Sequence, residues 1–194
     1  WWGRSWFSRP GVGIYLSLWL QPPLAPDHLP RLTLLAGLAA VRAVDAYSRG
    51  RASLKWPNDV LLNGKKMAGI LCEFCETSAG DPGVILGIGI NVNHSVEDFP
   101  KELRAIATSL RIENGEPVDR TGLILSLLHH LDQEYQAFLV GGEMELAAKW
   151  SEHTDMFGQR IALTRGREVL HGTALGLDAW GNLRMRTSEG REMT

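Results

Sequence analysis

With 194 residues, 44% hydrophobic and 22% charged, the chain has material for one good-sized core, or for one large domain plus a small satellite, at ordinary globular composition. No apolar run approaches the roughly 18 residues of a membrane-spanning helix. A formal net charge of −2 and a pI near 6.3 supply no basic field for a nucleic-acid backbone, so neither a membrane nor a nucleic acid is expected as a partner of this chain.

The first residues, WWGRSWFSRPG, carry neither an initiator Met nor a basic-then-apolar leader, so the expectation is a chain that begins inside a longer one. GIYLSLWL, Gly13 to Leu20, alternates partly and stops at Gln21-Pro22-Pro23; it reads as a strand. Leu32, Leu35, Ala36, Ala39, Ala40, Ala43 and Val44 then recur at helical spacing, which predicts one amphipathic helix from Leu29 to Ser48 with Pro30 near its start.

Three strands are expected next: Ala52 to Trp56, ended by Pro57, then Val60 to Leu62 and Lys66 to Phe74 around Asn63-Gly64, the pair that best fits a two-residue hairpin turn. A fourth run, Val84 to Val92, follows the Gly80-Asp81-Pro82-Gly83 turn, and together these pieces predict a mainly antiparallel sheet. Asp119 is the expected N-cap of a long helix through Leu123, Leu127, Leu131 and Phe138 that stops at Gly141-Gly142, with a shorter helix over Glu143 to Glu152. After Gly158 short alternating pieces between Gly and Asp turns predict a small antiparallel barrel of SH3-like size. The fold class is therefore α+β, with domains expected at 1–156 and 157–194.

Cys72 and Cys75 are the only cysteines. Two ligands fall short of a zinc site, and a spacing of three on a strand points them to opposite faces, so they read as reduced packing thiols in a reducing cytoplasm. His129 and His130 are adjacent on a helix and face different ways, one to the surface and one partly inward. Glu143 and Glu145 fall in a helix's first turn, where the dipole favours them.

Three stretches carry candidate chemistry. On alternation Lys55 points away from the Leu54 and Trp56 face, so a solvated edge lysine and an anion-binding ammonium are both open, while Pro57, Asn58 and Asp59 by themselves specify a turn. Gly87 and Gly89, two apart in an apolar strand, suit the close approach of another backbone or of a flat ligand, and Asn91 ends the run with a polar group. Gly3 and Arg4 suit a phosphate-binding loop, and Trp6 is apolar bulk at a strand start.

In order, SWFS with YLSL, KWPND (Lys55 to Asp59), KMAGILCE (Lys66 to Glu73) and GIGINVN (Gly87 to Asn93) resemble the biotin protein ligase family from Arg4 to Trp150, and the piece after Gly158 resembles its C-terminal domain. The resemblance implies an ATP-dependent, AMP-forming ligase with a class II synthetase-like domain. Such an enzyme makes biotinyl-5'-AMP and transfers biotin to a lysine of a biotin carboxyl carrier protein, such as that of acetyl-CoA carboxylase, with Mg2+ at the phosphates.

It also implies roles. Lys55 matches a lysine at the biotin carboxyl and adenylate phosphate; Gly69, Ile70, Leu71, Gly87 and Gly89 match walls of the biotin pocket, and Trp6 a residue beside the ligand. Gly3, Arg4 and Asn91 fall to ATP phosphates, Asn91 also to the metal through a water, and Pro57, Asn58 and Asp59 to the turn.

Two departures stand out: Trp1 and Trp2 occupy places where the family's Gly-Arg loop has arginines, and the strand and glutamine for biotin's ureido ring would lie upstream. Omission of an N-terminal portion explains both better than an impaired relative. A biotin or adenylate sensor or a repressor fragment, and a lipoate or octanoate ligase, are the competing readings. A second copy of the chain joined through a sheet edge is a candidate partner.

Overall fold

The computed structural model describes residues 7–22, 29–76, 78, 80, 82–166 and 168–194. Strands β1 (Gly13–Leu20), β2 (Ala52–Lys55), β3 (Asp59–Leu62), β4 (Lys65–Glu76) and β5 (Pro82–Asn91) form one antiparallel sheet in the order β1-β5-β4-β3-β2. Asn63 and Gly64 take φ of 51° and 77°, as a two-residue hairpin between β3 and β4 requires.

Helix α1 (Leu29–Asp45) ends sooner than its sequence spacing suggests and is not amphipathic in place. Leu34, Leu38 and Val41 are buried as fully as the Leu35, Ala39 and Ala43 stripe, because the helix lies between the sheet on one side and α3 (Arg120–Ala137) and α4 (Glu143–Ser151) on the other. Its alanines let those neighbours approach.

Asp119 caps α3, its carboxylate accepting from the N–H groups of Thr121 and Gly122. The helix does not simply stop at the glycines: a wide turn over Phe138–Gly142, with Gly141 at φ 100°, leads straight into α4. Sequence spacing also gave no sign of α2 (Leu110–Asn114) or of the 3-10 turn at Val96–Asp98.

Strands β6 (Arg160–Arg165), β7 (Glu168–Leu177), β8 (Leu183–Thr187) and β9 (Glu192–Met193) form a second antiparallel sheet in sequence order. No closed barrel is present among the described residues: β6 pairs with β7 alone, and the two-residue β9 pairs with β8 alone. The segment leading into this sheet runs along the free edge of β2. The Leu54 N–H donates to His153 O at 2.6 Å, and Thr154 Oγ1 donates to Leu54 O at 2.6 Å. No helix among the described residues is long and apolar enough to cross a membrane.

Candidate functional site

The sheet has two unlike faces. Leu54, Val60, Ala68, Ile70, Leu86, Ile88, Ile90 and Ile14 point toward the helices and are buried. The opposite face is assembled by register: Lys55 stands opposite Asp59, Asp59 opposite Gly69, Gly69 opposite Gly89 and Gly89 opposite Tyr15, so these five residues form one row across all five strands. The next row runs Leu71, Gly87, Ser17.

A hairpin closed by Asn63-Gly64 without irregularity would set Asp59 opposite Ala68. A bulge between Val60 and Leu61 moves Gly69 there instead. The bare backbone of Gly69 thereby enters the row.

Glycines on this sheet have different causes. A Cβ on Gly13 would lie 2.6 Å from Tyr15 Oη, and one on Gly83 would lie 2.3 Å from the Trp19 ring, so both make room for an aromatic side chain. A Cβ on Gly87 would meet nothing among the described residues nearer than Leu71 O at 3.6 Å. Packing within the fold does not require Gly87 to be bare, and it lies half-buried on the open face.

Charge reaches this face from two lysines. Lys55 is exposed and has no ion-pair partner among the described residues. Lys66, which no separate sequence signal singled out, places Nζ 2.5 Å from Asp59 Oδ1. A strand spacing is about 4.8 Å, so the Lys66 ammonium lies one strand from Gly69 while Lys55 is rooted a strand further out. The only signal for it was its place at the head of KMAGILCE, just past the hairpin.

The turn between the lysines is locked to β4. Asn58 Nδ2 donates to Ile70 O at 2.7 Å, and Ile70 N–H donates to Asn58 O at 2.9 Å. Pro57 follows a cis peptide bond. Ile70 itself points its side chain to the helices, so only its main chain borders the turn. Asn91 ends β5 half-buried, opposite Gly13. Gly3, Arg4 and Trp6 lie outside the described residues.

Cys72 faces α1 and Cys75 the open side, as their spacing requires; burial pushes the Cys72 thiol up to about 11, which leaves it unreactive near neutrality. Among the described residues no three His, Cys, Asp or Glu side chains group closely enough to hold a metal. Mg2+ usually keeps several waters and sits mainly on substrate phosphates. One amide at Asn91 beside a bound triphosphate fits that habit.

At the Asn91 end, fully buried His94 stacks on Phe99 with centroids 5.2 Å apart, and its Nε2 lies 3.3 Å from Tyr15 Oη. Arg9, paired with Asp98, flanks it, and Nδ1 has no hydrogen-bond partner among the described residues. Burial holds the His94 pKa below its ordinary value, and Arg9 pushes the same way. In the unfolded chain the ring titrates near about 6.5, so protons bind the unfolded state first.

The stability from the neutral ring is complete above that value and is lost as pH falls through the lower folded one, with a slope of at most about 1.4 kcal/mol per pH unit. Between pH 7 and 5.5 the denaturation midpoint of the wild type is expected to fall faster than that of His94→Gln. Parallel curves would remove His94 from the account.

The sequence profile of the Biotin/lipoate A/B protein ligase family matches residues 1–91, and that of the Biotin protein ligase C terminal domain matches residues 156–193. The Bifunctional ligase/repressor BirA of Bacillus spizizenii is 39% identical over 187 residues, covering 96% of this chain and 58% of that one. The Bacillus subtilis protein of the same name also has 58% of its length covered, so the chain spans little more than half of these relatives.

The Biotin--[acetyl-CoA-carboxylase] ligase of Paracoccus denitrificans is 32% identical over 98% of this chain and 80% of that one. Among solved structures, the biotin protein ligase from Aquifex aeolicus in complex with biotin and ATP superposes with a TM-score of 0.85 at 32% identity, over 98% of this chain and 78% of that chain. With both profiles in chain order, and a relative of this identity covered over four fifths of its length, the chain belongs to the biotin protein ligase family.

Proposed function

We propose that the full-length protein activates biotin with ATP and transfers the biotin acyl group to a lysine of a biotin carboxyl carrier protein. A carboxylate oxygen of biotin attacks the α-phosphorus, and pyrophosphate leaves. The carrier's ε-amine then attacks the acyl carbon of the mixed anhydride, AMP leaves, and the amine gives up a proton. No covalent enzyme nucleophile is needed; the work is positioning and charge compensation.

The observation that carries this reading is Gly87: a bare half-buried position that the fold does not require, one row from the Asp59 and Lys66 ion pair. A flat ring lying on Gly69, Gly87 and Gly89, beside Leu71, would bring its carboxylate toward the lysines. Lys55 and Lys66 would balance charge on the carboxylate and α-phosphate, Asn91 would serve the phosphates or a water on Mg2+, Trp6 would serve the biotin side, and Gly3 and Arg4 the ATP phosphates. Pro57, Asn58 and Asp59 would fix the turn.

The boundary between 1–156 and 157–194, the SH3-like character of the C-terminal sheet and a cytoplasmic location belong to the same proposal. Support for the first comes from the profile match beginning at residue 156. The BirA relatives' name, Bifunctional ligase/repressor, and their extra length favour one further reading, a repressor role carried by a longer protein. A homodimer is the remaining candidate assembly.

Gly87→Val tests the reading. It is expected to keep the melting temperature within a few degrees while raising KM for biotin by about 10² or more in pyrophosphate release from biotin and ATP, because the added side chain fills the ligand's place. Unchanged KM would clear Gly87 of the role. Wild-type turnover that depends on lipoate or octanoate in place of biotin would redirect the substrate, and no turnover with any of the three would favour the sensor reading.

A further inference from the structure

Trp56 stands between Lys55 and Pro57 and is held from two directions, both by the C-terminal part of the chain. Its main-chain N–H points to Met156 Sδ at 3.1 Å, and its indole Nε1–H donates to Gly181 O at 3.0 Å. Gly181 belongs to the turn between β7 and β8, which Asp178 braces: Oδ1 accepts from the N–H groups of Trp180 and Asn182 at 2.8 Å each, and Oδ2 accepts from Asn182 Nδ2 at 3.0 Å.

That braced turn is pressed onto α1. Gly181 has φ 85°, and a Cβ there would stand 2.5 Å from Leu34 Cδ1. The buried Arg31 donates from Nη2 to Ala179 O at 3.3 Å and lays its guanidinium 4.3 Å from the centre of the Trp180 ring. The carbonyl that receives the indole is therefore a fixed point.

On its other side the indole borders a cleft of about 290 Å³, lined also by Pro57, Asn58, Leu71 and Asn182. The ring's inner side packs against the core, its outer side borders the cleft, and the directional bond to Gly181 fixes its orientation between them. From Trp56 the main chain passes within three residues to Asn58, which is locked to Ile70, and to Asp59, which holds Lys66.

We infer that Trp56 is a positioning residue, through which the turn between β7 and β8 sets the Lys55 to Asp59 turn and the Lys66 ammonium that Asp59 holds. The inference rests on the adenylation reading for its effect on turnover. It does not rest on that reading for its effect on the turn's rigidity.

Trp56→Phe in the full-length protein keeps an aromatic ring and removes the donor. The expected result is faster amide exchange at Asp59 and Ile70, and a fall in kcat for pyrophosphate release of about tenfold. KM for biotin and the melting temperature should stay close to wild type. Gly181→Ala, which displaces the acceptor instead of the donor, should reproduce the exchange and the loss of kcat per folded molecule, with a lower melting temperature because φ 85° and Leu34 strain the added methyl.

A residue that only supports the fold would lower activity in step with the folded fraction and leave kcat per folded molecule intact; that result overturns the inference. So does unchanged exchange at Asp59 and Ile70 in both variants. If the wild type itself shows no biotin-dependent turnover, the adenylation reading fails, and the exchange measurement still decides whether Gly181 holds the turn through Trp56.

Discussion

Lys66→Ala is expected to slow pyrophosphate release from biotin and ATP by about 10² to 10³, the usual loss when one donor aimed at developing negative charge is removed. Lys55→Ala should cost less than Lys66→Ala. The difference follows from where the two ammonium groups are anchored. Along the row from Lys55 to Gly89 there are three strand spacings, about 14 Å, and Lys55 starts from the far end with no ion-pair partner among the described residues to orient it. The Lys66 ammonium is already fixed on Asp59, next to Gly69.

Neither variant should unfold the protein, since half-exposed ion pairs contribute about 0 to 1 kcal/mol and the Lys66 side chain is 44% exposed. Lys66→Arg should rescue poorly, because a planar fork does not replace a point charge at this site. Wild-type rates in Lys66→Ala would sink the assignment. A larger loss in Lys55→Ala than in Lys66→Ala would move the charge to the strand-end lysine that the family resemblance pointed to.

Lys55 was legible from its place in KWPND, whereas the tie of Lys66 to the same row is a matter of register. Strand existence was legible from local chemistry: Asn63-Gly64 fixes the hairpin, and Gly13 to Leu20 forms β1 over the range its alternation suggests. Register beyond the hairpin was not. The bulge at Val60 and Leu61 has no composition signal, yet it decides that Gly69 rather than Ala68 shares a face with Asp59.

Pairing of β1 with β5, more than sixty residues apart in the chain, likewise depends on the assembled core, and it alone sets Tyr15 beside Gly89. The five-residue α2 was unreadable because it is too short for periodicity. Besides its local cap, where the Ser109 hydroxyl accepts from the Ile112 N–H, tertiary bonds hold it: Ser109 Oγ donates to His94 O and the Arg111 N–H to Val92 O. The site's residue types were thus visible in the sequence, while the row that unites them was not.

Glu134→Ala is expected to cost about 3 kcal/mol of stability, near the lower end of the 3 to 5 kcal/mol found when a buried ion pair loses one partner. Glu134 projects from α3 into the seam where α1 and α4 meet it, with a side chain only 6% exposed. Its Oε1 pairs with Arg42 of α1, and its Oε2 lies 4.0 Å from Lys149 Nζ of α4. One carboxylate thus ties together three helices, among them the helix that underlies the whole sheet.

The cost lies at the low end because Arg42 and Lys149 are 36% and 34% exposed and can turn toward water once the acid is gone. Lys149 also keeps Glu145 at 3.7 Å. At about 2 to 4 °C per kcal/mol for a chain of this size, the melting temperature should fall by roughly 6 to 12 °C. Glu134→Gln, which retains the shape and one acceptor, should fall by less. If the two variants melt together within a degree of wild type, the seam is held by Leu127, Leu131 and their apolar neighbours, and the three charges serve only to choose which faces of the helices meet.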